Sequence, residues 1–273
     1  MANHNYKLLA VDVDGTLLDG LGKISAEDMK AIAMVRESGM QVSLSTGRTV
    51  KSCWGVIDQL SLDGYHAFFD GALVSSRDPS EEIYAVPISS AVVRKMVEFA
   101  RSCDIDLELH SRTQFFAGRE TWSTAARRQF FGIETVIDDL TGIWERESVI
   151  KGGLATNDSQ EDAKAESLYR QFADILTFSE ARTPAYPGKV FINVLAPGVS
   201  KGRALEVLAS HLGVSLAEVV VVGDGTNDIP LLTTAGLAIA MGSAPAEVKA
   251  VADYVTLDID HSGLAAAINK FLL

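Results

Sequence analysis

Two aspartates stand two residues apart at the end of an apolar stretch, in AVDVDGTLLD at residues 10–19. Asp12 and Asp14 fall where a buried strand gives way to the turn at Gly15-Thr16, and alternation along an extended chain puts both on one side. Three other segments hold polar groups of matching kind: Thr46-Gly47-Arg48, Lys201 near a helix start, and Gly223-Asp224-Gly225-Thr226-Asn227-Asp228. Brought together, their carboxylates would repel by several kcal/mol at reduced dielectric. A divalent cation relieves this, and Mg2+ suits hard oxygen ligands best. Glycines let backbone N–H groups face an anion. With the Thr46 hydroxyl and the Lys201 charge, the set could stabilise a transferring phosphoryl group. Any one of these residues alone is ordinarily a turn former, a helix cap or a solvated lysine. Their joint occurrence at successive strand ends carries the reading.

The elements that must position them alternate. Tyr6 to Val13 reads as a strand. Ser25 reads as an N-cap followed by helical spacing to Gly39, Val42 to Ser45 as a strand, the chain to about Leu60 as a helix, and Tyr65 to Phe69 as a third strand. From Ser200 the same grammar returns: helix to Leu212, strand Glu218 to Val222, helix Asn227 to Thr234, then Leu237 to Met241, Ala246 to Val251, Tyr254 to Leu257 and Ser262 to Leu272. Such alternation predicts an α/β fold with parallel strands and right-handed crossovers. EVVVV at 218–222 is the most hydrophobic strand and belongs at the centre of a sheet covered on both faces. Ligands of such sheets bind outside the carboxyl ends of the strands.

The middle differs. Helices are expected at Ser90 to Cys103, Thr121 to Phe131 and Ser159 to Phe172, with strands such as Leu107-Glu108-Leu109 and Val149 to Ala155 whose polar alternation suits a sheet with one exposed face. Pro79, Pro87, Pro184 and Pro187-Gly188 cluster at its edges. The expected division is a core of residues 1–82 and 188–273 with a second α/β domain, 83–187, inserted in it.

Of 273 residues, 47% are hydrophobic and 22% charged, and the formal net charge is -12. This argues against a nucleic-acid surface and requires any phosphate to be held by local groups. Cys53 and Cys103 are expected as buried or partly buried free thiols. The N-terminal segment lacks a signal-peptide pattern and no apolar run is long enough to cross a membrane, so the expectation is a cytoplasmic protein.

The four segments carry a family resemblance. The chain resembles the haloacid dehalogenase (HAD) superfamily of phosphohydrolases, in its Cof-type branch, through DxDGT at 12–16, TGR at 46–48, KGxAL at 201–205 and GDxxND at 223–228. The resemblance covers most of 7–82 and 188–273, and implies a Rossmann-like doubly wound parallel-sheet core with an inserted α/β cap. It implies that Asp12 is the nucleophile, forming an aspartyl-phosphate. Asp14 would be general acid and then base, with its side chain turned from the ion. Mg2+ would be held by the Asp12 and Asp224 side chains and the Asp14 carbonyl. Thr46, Lys201, Asn227 and the N–H groups of Val13 and Gly47 would contact the phosphoryl oxygens, with Asp228 orienting Lys201 or a metal-bound water. The substrate would be a small phosphorylated metabolite.

Asp70, Ser200 and Leu231 depart from the family's common Asn, Asn or Asp, and Met. In the middle segment His110, Arg112, Arg119, Trp122, Arg127, Arg128, Lys151 and Lys189 are candidates for substrate contact. Arg127-Arg128 reads first as a solvated helix face, and Trp122, Phe130 and Phe131 as packing residues. The rivals to a phosphatase are a phosphoryl transferase or mutase on the same site and a non-catalytic phosphate-binding regulator. A nucleotide-binding dehydrogenase lacks support because the first strand has no GxGxxG turn.

Overall fold

The computed structural model describes residues 6–78, 81–182 and 186–273, with backbone alone at 130 and 131. The expected packing role of Phe130 and Phe131, and the positions of Pro79 and Pro184, lie outside the described residues.

Strands β1 (Leu8–Val11), β2 (Gln41–Leu44), β12 (Val219–Gly223), β13 (Leu237–Ala240) and β14 (Tyr254–Val255) form a parallel sheet in the order β14-β13-β12-β1-β2. The valine-rich β12 is central, as its composition requires. Its alternation divides the core. Val220 and Val222 join Leu9 and Val11 in one buried cluster, while Val219 and Val221 join Leu8 and Ala10 in another. Helices Ala26–Glu37, Val50–Gln59 and Gly263–Phe271 contribute to the first cluster, and Lys201–Leu212 to the second. Helices on both faces make the sheet doubly wound. Burying each of these valines stabilises the fold by about 1.5–3 kcal/mol relative to exposure. The Ser25 cap forms as expected, its hydroxyl accepting from Asp28 N at 3.0 Å.

The third strand is shorter than its sequence suggests and changes partners. β3 (His66–Phe68) meets β2's extension through the parallel bridge Ser45↔Ala67. It then pairs antiparallel with β4 (Leu73–Ser75), which pairs with β5 (Glu82–Ala85). The expected boundary at 82/83 therefore falls inside a strand.

A second sheet has the order β10-β11-β9-β6-β7-β8, from β6 (Glu108–His110), β7 (Phe115–Ala117), β8 (Thr135–Ile137), β9 (Lys151–Thr156), β10 (Thr177–Ala181) and β11 (Val190–Leu195). β11 pairs antiparallel with β9 and β10, so the first layer resumes near Lys201 and not at 188. Leu109, Leu154 and Val194 point toward helices Ser90–Ser102 and Ser159–Phe172 in a buried cluster. The opposite face carries Glu108, His110, Lys151 and Asn193, which register side by side across β6, β9 and β11. That polar face is turned to a cavity between the two sheets. Among the described residues no helix is long and apolar enough to cross a membrane. Cys53 is buried as expected, but Cys103, at the end of helix Ser90–Ser102, is exposed.

His66 on β3 predicts an acid sensitivity. It is fully buried, and Leu44 N donates to its Nδ1 at 3.2 Å. Burial pushes its pKa down to about 4. Its folded value lies below the unfolded one, so its contribution to stability is complete above about pH 6.5 and is lost toward pH 4. The loss amounts to about 2 kcal/mol by pH 5, or about 4–8 °C in Tm for a chain of this size. Other groups titrate as well, so the check is a difference: the Tm drop from pH 7.5 to pH 5 should be smaller by this amount in His66→Gln. Equal drops would refute it.

Candidate active site

The carboxyl ends of β1, β2 and β12 and the start of helix Lys201–Leu212 converge on a cavity of about 1040 Å³. Asp12, Asp14, Thr46, Gly47, Asp224 and Asn227 all line it. Lys201 sits beneath, 1% exposed, with Nζ 2.6 Å from both Asp12 Oδ1 and Asp228 Oδ1. Burial alone works against its charge. The Asp12 and Asp228 carboxylates outweigh that and hold the ammonium above the ordinary lysine range.

Asp228 is fully buried, and its second oxygen accepts from the N–H groups of Asp224 and Gly225 at 3.0 and 2.9 Å. It therefore orients Lys201 and pins the turn that carries Asp224. Thr16 Oγ1 donates to Asp224 Oδ1 at 2.9 Å. Carboxylate oxygens of Asp12, Asp224 and Asp228 lie within 4.8 Å of one another. Burial first, and then the neighbouring Asp228, push Asp12 well above the carboxylate range and Asp224 to about 7. Two crowded carboxylates raised in this way form a hard-oxygen set that a divalent cation fits. Because Asp228 is committed to Lys201 and two amides, Asp12 and Asp224 are the side chains left for an ion.

Gly15 makes the approach possible. Its φ is +90°, and a Cβ there would stand 2.5 Å from Asp224 Oδ2. Gly15→Ala should cost about 1–2 kcal/mol from the left-handed backbone and displace Asp224. A magnesium titration of activity should then show a higher half-saturating concentration; an unchanged one would contradict the packing.

Thr46 is buried with Oγ1 accepting from Arg48 N at 3.1 Å, which closes the turn before helix Val50–Gln59. Val13 is buried, and its carbonyl accepts from Leu17 N and Leu18 N. Asn227 Nδ2 donates to Asp70 Oδ1 at 2.9 Å. Asp14 is engaged by Arg48, whose Nε and Nη2 reach its two oxygens at 2.8 and 2.5 Å. Sequence reasoning placed Arg48 in a motif without a partner. Only the pairing of β1 with β2 makes Asp14 and Arg48 neighbours.

The middle segment supplies the opposite wall. Lys151, on β9, is 5% exposed, and its Nζ donates to Gly47 O at 3.0 Å and stands 3.6 Å from Asp70 Oδ2. The expected solvated pair Arg127-Arg128 divides. Arg128 is exposed between Glu120 and Glu134, but Arg127 is 7% exposed and its Nε donates to buried Glu108. Two adjacent helical residues cannot face the same way, and Arg127 faces the polar side of the second sheet. Arg112 and Arg119 are outer ion pairs with Glu82 and with Asp104 and Asp106. His110 is fully buried beside Glu108. Trp122 is half-buried, donating to Glu161, with Lys189 Nζ 5.2 Å from its ring centroid.

These features match known proteins. A family model described as haloacid dehalogenase-like hydrolase matches residues 9–268. The 5-amino-6-(5-phospho-D-ribitylamino)uracil phosphatase YcsE of Bacillus subtilis (strain 168) is 28% identical over 98% of this chain and 97% of its own length. The HAD-superfamily phosphatase BT1666 from Bacteroides thetaiotaomicron superposes with a TM-score of 0.81 at 30% identity, over 99% of this chain and 96% of that one. The HAD subclass IIB sugar phosphatase BT4131 superposes at 0.80 and 26% identity, over 97% and 98%. The chain belongs to the haloacid dehalogenase-like hydrolases and is a phosphatase of that superfamily.

Proposed function

We propose that the protein hydrolyses small phosphomonoesters through an aspartyl-phosphate on Asp12, with Mg2+ as cofactor. The observation that carries this is the buried Asp12–Lys201–Asp228 chain beside Asp224, with Asp12 and Asp224 lining the cavity. Asp12 and Asp224, with the Asp14 carbonyl, would hold the magnesium ion, which when bound supplies the positive charge that lets a carboxylate approach a phosphate dianion. Lys201 adds a fixed positive charge within reach of the Asp12 oxygen, and Asp228 keeps it there. Thr46, Gly47, Val13 and Asn227 offer donors to the phosphoryl oxygens, with Asn227 shared with Asp70. Asp12 attacks phosphorus as the ester oxygen leaves. Asp14 gives that oxygen its proton and later takes one from the attacking water. Both Asp14 oxygens accept from Arg48, so Arg48 fixes the position of the Asp14 side chain. The second sheet and its helices serve as a cap: Lys151 closes onto the Gly47 turn and excludes water.

A phosphomonoester as substrate is further supported by the sugar phosphatase BT4131 and by YcsE, whose named substrate is a phosphorylated ribityl compound. The test is a phosphate-release screen across metabolite esters with magnesium and with chelator. Inorganic phosphate should appear without an acceptor and only with the metal. Transfer to an acceptor sugar with no net phosphate release would favour the transferase reading, and release unaffected by chelator would contradict the metal assignment.

A further inference from the structure

The cavity is electrically divided. Its wall from the first sheet presents six carboxylates, including Asp12, Asp14 and Asp224, against one cation, Arg48. Its wall from the second sheet and the following loop presents Arg127, Lys151, Arg182 and Lys189 against one carboxylate, Glu180. In a chain of net charge -12, a wall of the opposite sign is a built feature.

Two of those cations are buried and held in place. Glu108 accepts from Ser123 Oγ at 2.7 Å, from His110 Nε2 at 3.3 Å and from Arg127 Nε. The Arg127 guanidinium lies 5.5 Å from the Phe191 ring centroid and crosses Gly153, where a Cβ would stand 3.4 Å from Nη2. Glu108 engages only the Nε side. The two terminal amino groups have no hydrogen-bond partner among the described residues, and Arg127 lines the cavity. Lys151, registered opposite His110 on the adjacent strand, has one hydrogen bond, to a neutral carbonyl, and an Asp70 oxygen beyond hydrogen-bond reach. An ammonium has three donors and a guanidinium five, so both carry donors in surplus. A preorganised guanidinium whose outer edge is free suits a carboxylate or phosphoryl group. His110, fully buried behind the lining, is a neutral ring that adds no charge of its own, because burial, with Arg127 and Lys151 nearby, pushes it down to about 3.

We propose that Arg127 and Lys151 form a second anion subsite, which receives an anionic oxygen group on the leaving portion of the phosphomonoester. The proposal rests on the phosphatase reading for the orientation of the ester, with the phosphoryl end at Asp12 and the second anion at the cap. It names a substrate class: phosphate esters of hydroxy acids, or bisphosphates, over neutral sugar or polyol phosphates.

Binding is measured by calorimetry with magnesium in the Asp12→Asn protein, so that esters persist. One arm compares 3-phosphoglycerate with glycerol 3-phosphate, and the other fructose 1,6-bisphosphate with fructose 6-phosphate. In at least one arm the doubly anionic ligand should bind about tenfold tighter or better, and the arm that responds identifies carboxylate or phosphoryl. Lys151→Met should reduce that preference, and loss of Arg127 should bring it to within about twofold. Arg127→Gln alone leaves Glu108 buried without its cation and risks unfolding, so Arg127→Gln/Glu108→Gln is measured as well. Equal affinity in both arms, or a preference that survives loss of both cations, would overturn the subsite. Selective binding by a wild-type protein that releases no phosphate from any ester would uphold the subsite and defeat the phosphatase mechanism.

Discussion

Asp12→Asn is expected to release phosphate at least about 10⁴-fold more slowly than the wild type, while the protein stays folded. Asparagine has nearly the shape of aspartate but cannot carry the attacking oxygen charge. The Asp12 carboxylate is expensive in the free protein, because burial and Asp228 disfavour its charge. The substitution therefore relieves a local cost and takes away half of the side-chain set that a cation would use. Thermal melts should show the consequence: magnesium should raise the wild-type Tm and raise that of Asp12→Asn much less. Turnover within tenfold of wild type would remove Asp12 from the reaction.

Lys201→Met combines a large loss of activity with a large loss of stability. The ammonium is 1% exposed and balances two carboxylates at 2.6 Å each. Removing one partner of a buried ion pair costs about 3–5 kcal/mol, and here two acids are left facing each other. Loss of a preorganised charge at the reacting centre lowers turnover by about 10²–10³-fold. Denaturant melts and steady-state rates on the same preparation separate the two. Asp228→Asn serves as the comparison, since it leaves the Asp12–Lys201 pair and removes either the second contact of Lys201 or the hold on the Asp224 turn. A Lys201→Met protein as stable as wild type would show that the charges are not coupled as the distances indicate.

The core was legible because its information is local. β12 is four valines and a glycine, and both its central place and the turn carrying Asp224 follow from that composition. The helix expected at Ser159 to Phe172 forms over those bounds, and the structure adds its cap, the Asp158 side chain accepting from Gln160 N and Glu161 N. The motif residues could be located because strand ends in a parallel sheet share one edge. Partners were not legible where they depend on register or on long-range packing. Arg48 meets Asp14 across 34 residues and Lys151 meets Gly47 across 104. Arg127 looked like half of a solvated pair because helical spacing does not reveal that Glu108 and His110 wait on the facing strand. The end of the inserted segment was misplaced for the same reason: Val190–Leu195 is apolar enough for either sheet, and only its pairing with Lys151–Thr156 decides.

The central claim is that phosphate passes through Asp12 and not directly to water. The measurement is the stereochemical course at phosphorus, using a phosphorothioate monoester made chiral with oxygen isotopes and turned over in isotopically labelled water with magnesium. Two successive in-line displacements, the first by Asp12 and the second by water, predict retention of configuration. Inversion would mean a single attack by water and would contradict the account.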